Sequence, residues 1–327
     1  MRVRISIAAF AWLTVLLAAH PSPAQQAPKE AERTTLVAVL GDGPPLPAGG
    51  YVIRSDVREV RLDLRVKDGQ GRPVMNLTRA DLHVFDNQRR VRTLSSLLAE
   101  FDLPLTIAVL IDISGSTASV LSQEKQAALD FLQAVMRPGD RATVAGFANR
   151  LSPLEEVGAG LESWRGEIDG LRAGDLTALF DAAVELCTTR LRIEPGAARR
   201  RVLVILSDGA DNYSRHSLDD AIEAAMKNEV TVFTVTIGRN VDHDQAAVMN
   251  LRYLSATTGG DSLSATRTAE LRTTFEQIDR ELRSYYVLTY PLPAQESGEE
   301  FHPVRITAAP EGWKVQAKVG YFARDGE

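Results

Sequence analysis

Two apolar runs constrain this chain more than any other feature in it. Residues 105–111 read LTIAVLI and residues 202–206 read VLVIL, and neither alternates with polar residues. A strand with one wet face alternates. A strand that is apolar on both sides needs cover on both sides, which points to a parallel sheet held between layers of helix. The segments around the two runs can supply that cover. Helical patterns occupy roughly 122–136 (closed by Pro138-Gly139), 161–171, Thr177 to about Arg192, 218–227, 246–257 and 269–284, with further strands at 142–147 and 230–237. Strands alternating with helices at this spacing predict an α/β fold with an open, doubly wound, mostly parallel sheet.

The flanks follow a different period. Val57, Val60, Leu62, Leu64 and Val66 alternate with Arg, Glu and Asp, the pattern of a half-buried strand. Asp68-Gly69-Gln70-Gly71 is a turn sequence, and Leu82, Val84 and Phe85 begin another strand. Strand patterns return at 285–290, 304–307 and 313–321. The second flank is too short to hold a core by itself. The expectation is therefore one small β-sandwich-like module built from both ends, 50–100 and 285–323, with the α/β domain of 103–283 inserted between. Two separate β appendages are the alternative.

The N-terminus speaks to location. Arg2 and Arg4 precede a continuous apolar stretch at 5–19, and Ser22-Pro23-Ala24 places small residues where a signal peptidase cuts. A signal peptide over 1–24 is expected, leaving an exported chain (periplasmic, cell-surface or secreted) that begins at Gln25. The competing reading is a retained anchor. The apolar run stops at His20-Pro21, short of the ~20 residues that span a bilayer, so no membrane span is expected after cleavage. Residues 25–49, rich in Gln, Ala, Pro and Gly, read as a flexible leader. Cys187 is the only cysteine, which excludes an intramolecular disulfide and makes it a small core residue. A net charge of −6 argues against nucleic acid as a partner. The one basic run, Arg199-Arg200-Arg201, is expected to be a solvated loop guarding the apolar strand after it.

Chemistry concentrates after the first apolar run, at Asp112-Ile113-Ser114-Gly115-Ser116. In a doubly wound sheet, ligands gather at the carboxyl ends of strands where the strand order reverses. The loop offers one carboxylate and two hydroxyls on alternate residues, and Gly115 permits a tight turn. Such hard oxygen donors suit Mg²⁺ or Mn²⁺ better than Zn²⁺. Asp208, in Ser207-Asp208-Gly209, follows the second run, and Thr177 opens the segment Thr177-Ala178-Leu179-Phe180-Asp181-Ala182. Each has a plainer reading by itself: a turn in which Asp and Ser bond their own backbone, or a helix cap at Thr177. Asp211 and Asn212 are either rim groups or solvated loop, Asp181 either supports the site or is a helix-surface charge. Asp242-His243-Asp244 is either a second metal cluster or a polar loop.

Taken together, the Asp-x-Ser-x-Ser loop, the Thr-Ala-Leu-Phe-Asp-Ala segment and Ser-Asp-Gly resemble the metal-ion-dependent adhesion site of von Willebrand factor type A domains, over about 103–283. The β-rich flanks and the Gly320-Tyr321 ending are similar to an exported bacterial subfamily. The resemblance implies a metal held by Asp112, Ser114, Ser116, Thr177 and Asp208. In it the two serines bind through their hydroxyls, the aspartates often act through water, and the threonine binds directly or through water. One position is left for an Asp or Glu of a protein partner. Mg²⁺ is the implied ion, with Mn²⁺ or Ca²⁺ as alternatives, and the implied role is binding without catalysis. A Mg²⁺-dependent hydrolase or phosphoryl-transfer enzyme is the rival, since aspartates at strand ends also support that chemistry. It would need a base or nucleophile, and His20, His83, His216, His243 and His302 are scattered, with no His-Glu-x-x-His, Gly-x-Ser-x-Gly or Walker pattern. A structural assembly subunit with a non-functional metal site is the third reading.

Overall fold

Among the described residues the alternating and unbroken apolar patterns separate into three sheets. Four strands precede the first apolar run: β1 (Glu59–Lys67), β2 (Leu82–Asp86), β3 (Arg89–Arg90) and β4 (Ser96–Ala99). Then come β5 (Leu105–Asp112), α1 (Leu121–Val135), β6 (Arg141–Phe147), α2 (Leu161–Gly170), α3 (Leu179–Thr188), β7 (Arg200–Leu206), α4 (Leu218–Lys227) and β8 (Val230–Ile237). The chain continues through α5 (Gln245–Thr257), β9 (Ser262–Ala265), α6 (Thr268–Leu282), β10 (Tyr286–Pro291), β11 (Phe301–Ala308), β12 (Lys314–Ala317) and β13 (Gly320–Phe322). The computed structural model describes residues 59–322 except 118–120, 153–159, 175, 195, 197, 238–244, 266–267 and 293–300. The segments 1–24, 25–49 and 50–58, Asp242-His243-Asp244 and the side chain of Ser116 lie outside the described residues.

The central sheet has the order β6-β5-β7-β8-β9, and every neighbouring pair is parallel. Both apolar runs sit inside it, and each sends alternate residues to opposite faces. Ile107, Val109 and Ile111 of β5 join Phe131 and Leu132 of α1, Ile168 of α2 and Phe275 and Ile278 of α6. Ala108 and Leu110 join Leu179 and Leu186 of α3, Ala225 of α4 and Leu251 of α5. Helices therefore cover both faces, which is why the runs do not alternate. Cys187 is fully buried, and burial pushes its thiol up to about 12, as expected of a core side chain. Among the described residues no helix is long and apolar enough to cross a membrane.

The flanking strands form two four-stranded sheets, ordered β12-β1-β10-β4 and β13-β11-β2-β3. Each mixes strands from before and after the α/β region: β1 is antiparallel to both β10 and β12, and β2 is antiparallel to β11. Val60, Leu62, Leu64 and Val66 of β1 meet Leu82, Val84, Leu288, Tyr290 and Val304 in a shared core. The stretch 313–321, a single strand by pattern, splits into β12 and β13 on different sheets. Lys318 and Val319 make the crossing, with Val319 N–H bonded to Thr257 O at 3.1 Å and its carbonyl to Val304 N–H at 2.7 Å. Gly320 follows because a Cβ there would lie 2.3 Å from His302 O. Tyr321 then donates its hydroxyl to Asp86 at 2.9 Å, a buried carboxylate that also accepts from Tyr290 at 2.8 Å.

The polar face of β1 is not simply solvated. Arg65 is buried against Glu281 of α6 and donates to Gly259 O at 2.9 Å, and Lys67 reaches Glu281 at 2.6 Å and Asp261 at 3.2 Å. The expected solvated loop at Arg199-Arg200-Arg201 is also corrected. Arg200 and Arg201 begin β7 and are buried. Arg200 lies 3.6 Å over the Tyr285 ring and near Asp63 of β1. Arg201 bonds Glu229 at 2.8 Å, and Arg199 bonds Leu105 O at 2.9 Å. The strand is central, so its entry point lies beneath the β layers, where each guanidinium finds an acceptor or an aromatic face.

Candidate functional site

The strand order places β5 and β7 side by side with their carboxyl ends together, and the chain order reverses there, since β6 lies on one side of β5 and β7, β8 and β9 on the other. Ile111 pairs with Leu206, so Asp112 and Ser207 are the next residues out on adjacent strands. Asp112 is fully buried. One of its oxygens accepts the Ser114 N–H at 2.9 Å and the other accepts the Ser207 hydroxyl at 2.6 Å. Thr117 closes the loop from below, its hydroxyl donating to Asp112 O at 2.9 Å and Ser114 O at 3.0 Å. Ser207 in turn accepts Gly209 N–H at 2.9 Å. Gly209 has φ +89°, and a Cβ there would meet Ala247 O of α5 at 2.8 Å, so only glycine brings Asp208 this close to the helix. Asp208, half-buried, accepts Ala210 N–H at 3.1 Å.

Thr177 comes from a third segment. It is buried, its N–H donates to the Asn212 side chain, and its carbonyl accepts Asn212 and Tyr213 N–H, all at 3.0 Å. Gly174 N–H bonds Ile113 O at 2.6 Å, tying this segment to the Asp112 loop. The helix expected to open at Thr177 and run to about Arg192 is shorter, and its cap position falls on Ala178, which has no capping side chain. The cap comes from another loop: Asp211 accepts Phe180 N–H at 3.0 Å and Ser214 N–H at 3.1 Å. Asp181 takes N–H groups from Arg215 at 3.0 Å and His216 at 2.8 Å. Burial of Asp181 works against ionisation, and these bonds nevertheless hold its carboxyl below the usual range. Asp181, Asp211 and Asn212 thus brace the loop that follows Asp208 against the start of α3, leaving the Thr177 hydroxyl uncommitted to helix capping.

One residue of this region carries no signal in the motif. Glu124, in the first turns of α1, is fully buried, and neither of its carboxylate oxygens has a hydrogen-bond partner among the described residues. Burial, then the charges of Asp112 and Asp208, push its acid up to about 8. Asp112 is raised too, by burial first, against the hydrogen bonds from Ser114 and Ser207, with Asp208 adding to the rise. Among the described residues, no cationic side chain contributes to either environment. The sequence did hold a clue: Glu124 lies on the apolar stripe Leu121, Ala128, Phe131, Leu132 and Val135 of α1, where a core residue belongs.

The chemistry of this donor set fits a hard divalent cation. Its groups are carboxylates and hydroxyls, and its buried acids lack a positive partner, which is the condition a bound cation relieves. Among the described residues no three Asp, Glu, His or Cys side chains form a group that could chelate an ion by themselves. A cation would therefore need the hydroxyls of Ser114 and Thr177 beside Asp112 and Asp208.

A doubly wound parallel sheet with oxygen donors at its reversal point defines a Rossmann-like class of ligand-binding α/β domain. The model of the von Willebrand factor type A domain matches residues 106–277, more than half of the chain, and the protein belongs to that family. Among solved structures, proximal thread matrix protein 1 from the mussel byssus, in a form with a zinc-occupied MIDAS motif, is 16% identical with a TM-score of 0.47, covering 60% of this chain and 49% of that one. The chain thus spans about half the length of the mussel protein. A von Willebrand factor type A structure from Catenulispora acidiphila is 12% identical with a TM-score of 0.47, covering 83% of this chain and 75% of that one. BatB from Bacteroides thetaiotaomicron is 13% identical with a TM-score of 0.44, covering 55% and 100%. A search of curated sequences returns no significant match.

Proposed function

We propose that this chain is an exported, non-enzymatic binding module that holds one Mg²⁺ through Asp112, Ser114, Ser116, Thr177 and Asp208 and uses it to capture an Asp or Glu of a protein partner. The observation that carries the reading is the buried acid at the end of β5, held by Ser114 and Ser207 with no cationic side chain of the described residues beside it. Mg²⁺ favours six oxygen ligands and keeps several waters. With neutral hydroxyls among its ligands it retains net positive charge, and an exchangeable water marks the place for a carboxylate. Export is supported by the N-terminal pattern at 1–24. The domain division proposed is 103–283 for the metal-binding domain, with 50–100 and 285–323 forming a common β unit.

The test is the thermal midpoint of the purified protein in EDTA and then in Mg²⁺, Mn²⁺ and Ca²⁺, for wild type and Asp208→Ala. A ligand that binds only the native state stabilises it by RT ln(1 + [L]/Kd), about 2.7 kcal/mol at 100 times Kd. The expected result is a metal-dependent rise in wild type that Asp208→Ala loses. A wild type indifferent to all three ions would remove the metal from the reading. Partner capture run with and without chelator then tests the second half, since a partner held equally well in EDTA does not use the ion.

A further inference from the structure

We infer that Glu124 is a third acidic group of the cation site, supporting the ion from α1 rather than as one of its direct ligands. The inference rests on the metal reading above and adds a residue that lies outside the five-residue motif. Burial of a carboxylate with no hydrogen bond to either oxygen is costly, and native proteins tolerate it where something else supplies the partner. Glu124 is such a group, and it stands within electrostatic reach of both Asp112 and Asp208. On α1 it lies between Leu121, a turn before and packed against the core, and Ala128, a turn after and within it, and its own side chain is fully buried.

The remaining geometry selects how it acts. Among the described residues no three acidic side chains form a group that could hold an ion by themselves, so Glu124 is assigned a supporting role rather than a direct ligand's place beside Asp112 and Asp208. Mg²⁺ retains water, and a retained water needs acceptors for its protons. With an ion bound, the Glu124 carboxylate, buried and without another hydrogen-bond partner among the described residues, would meet that need. Such supporting acceptors orient the inner ligands and strengthen the site. Once ionised, Glu124 would also add buried negative charge, which favours the ion.

The experiment is Mg²⁺ titration by calorimetry on wild type, Asp208→Ala, Glu124→Gln and Glu124→Met, each with its thermal midpoint in EDTA. Glu124→Gln should weaken Mg²⁺ roughly 10- to 100-fold, while its midpoint in EDTA equals or exceeds that of wild type because an unpaired buried acid is gone. Glu124→Met, which fits the apolar stripe, should keep the fold and weaken the ion at least as much. A glutamate with a purely structural role would move the EDTA midpoint and leave Mg²⁺ affinity at the wild-type value in both variants, and that result overturns the inference. If wild type responds to Mg²⁺ and Asp208→Ala does not, while both Glu124 variants bind normally, only the role of Glu124 is lost. If wild type itself does not bind, the underlying metal reading fails and this inference with it.

Discussion

Ser207 bonds Asp112 with its hydroxyl and takes the Gly209 amide on the same oxygen, so one small side chain joins two strand ends. Ser207→Ala leaves a buried acidic oxygen without its donor. A hydrogen bond to a charged group is worth about 1.5–3 kcal/mol, and urea unfolding in chelator should show a loss of that size. The unpartnered acid Glu124 also gives the metal-free protein a pH signature. Glu124 is raised in the fold from 4.5 to about 8, so the folded chain binds its proton more tightly than the unfolded chain does. The stability this contributes is greatest while the acid is protonated and falls as pH rises from about 4.5 towards about 8. In EDTA, wild type should lose more stability than Glu124→Gln between pH 5 and pH 8; parallel curves would contradict it. The residues visible in the sequence were those at strand ends, because Asp112 and Asp208 each follow an unbroken apolar run. Ser207 and Glu124 were harder to see for different physical reasons. Serine before Asp-Gly reads as turn chemistry, and a single glutamate on a helix reads as surface until the stripe beneath it is traced.

Two helices of similar length start in different ways, and the difference has consequences. Ser217 caps α4 locally: it accepts Asp220 N–H at 3.2 Å and its own N–H donates to Asp220 at 2.7 Å. Asp211 caps α3 from a loop that belongs to β7. Losing either cap costs about 1 kcal/mol. Ser217→Ala should therefore lower stability and leave Mg²⁺ affinity alone. Asp211→Ala should lower both, because the same loop holds the backbone of Thr177; calorimetry and urea unfolding on the two variants separate the effects. Most helices and the buried strands matched their sequence patterns within a few residues, since long apolar runs and 3.6-residue stripes are strong signals. Short edge elements did not show. β9 (Ser-Leu-Ser-Ala) has no β-branched residue and takes its conformation from β8, to which it pairs. The division of 313–321 into β12 and β13 depends on backbone bonds to Thr257 and Val304, partners remote in sequence.

At the scale of the molecule, the α/β and β layers meet through buried charge. Glu281 receives Arg65 and Lys67, and Arg65 also lies 4.9 Å from the centre of the Phe233 ring. Glu281→Ala leaves a buried guanidinium without its counter-charge, a change that costs about 3–5 kcal/mol in comparable pairs, and denaturant unfolding should show that loss. Removing 285–327 strips β1 of both its neighbours and β2 of β11. Limited proteolysis of that truncated chain should cleave within 59–99, which the full chain should protect; equal resistance would contradict the pairing. The same interleaving sets an order in time. β1 leaves the ribosome more than two hundred residues before Tyr286, and synthesis at ~5–20 residues per second puts roughly 10–45 seconds between them. Throughout that interval β1 has neither of the strands that flank it, and its apolar face must wait. The α/β core can form before its β layers close, and it is strands made after that core, β10 and β12, that end the waiting.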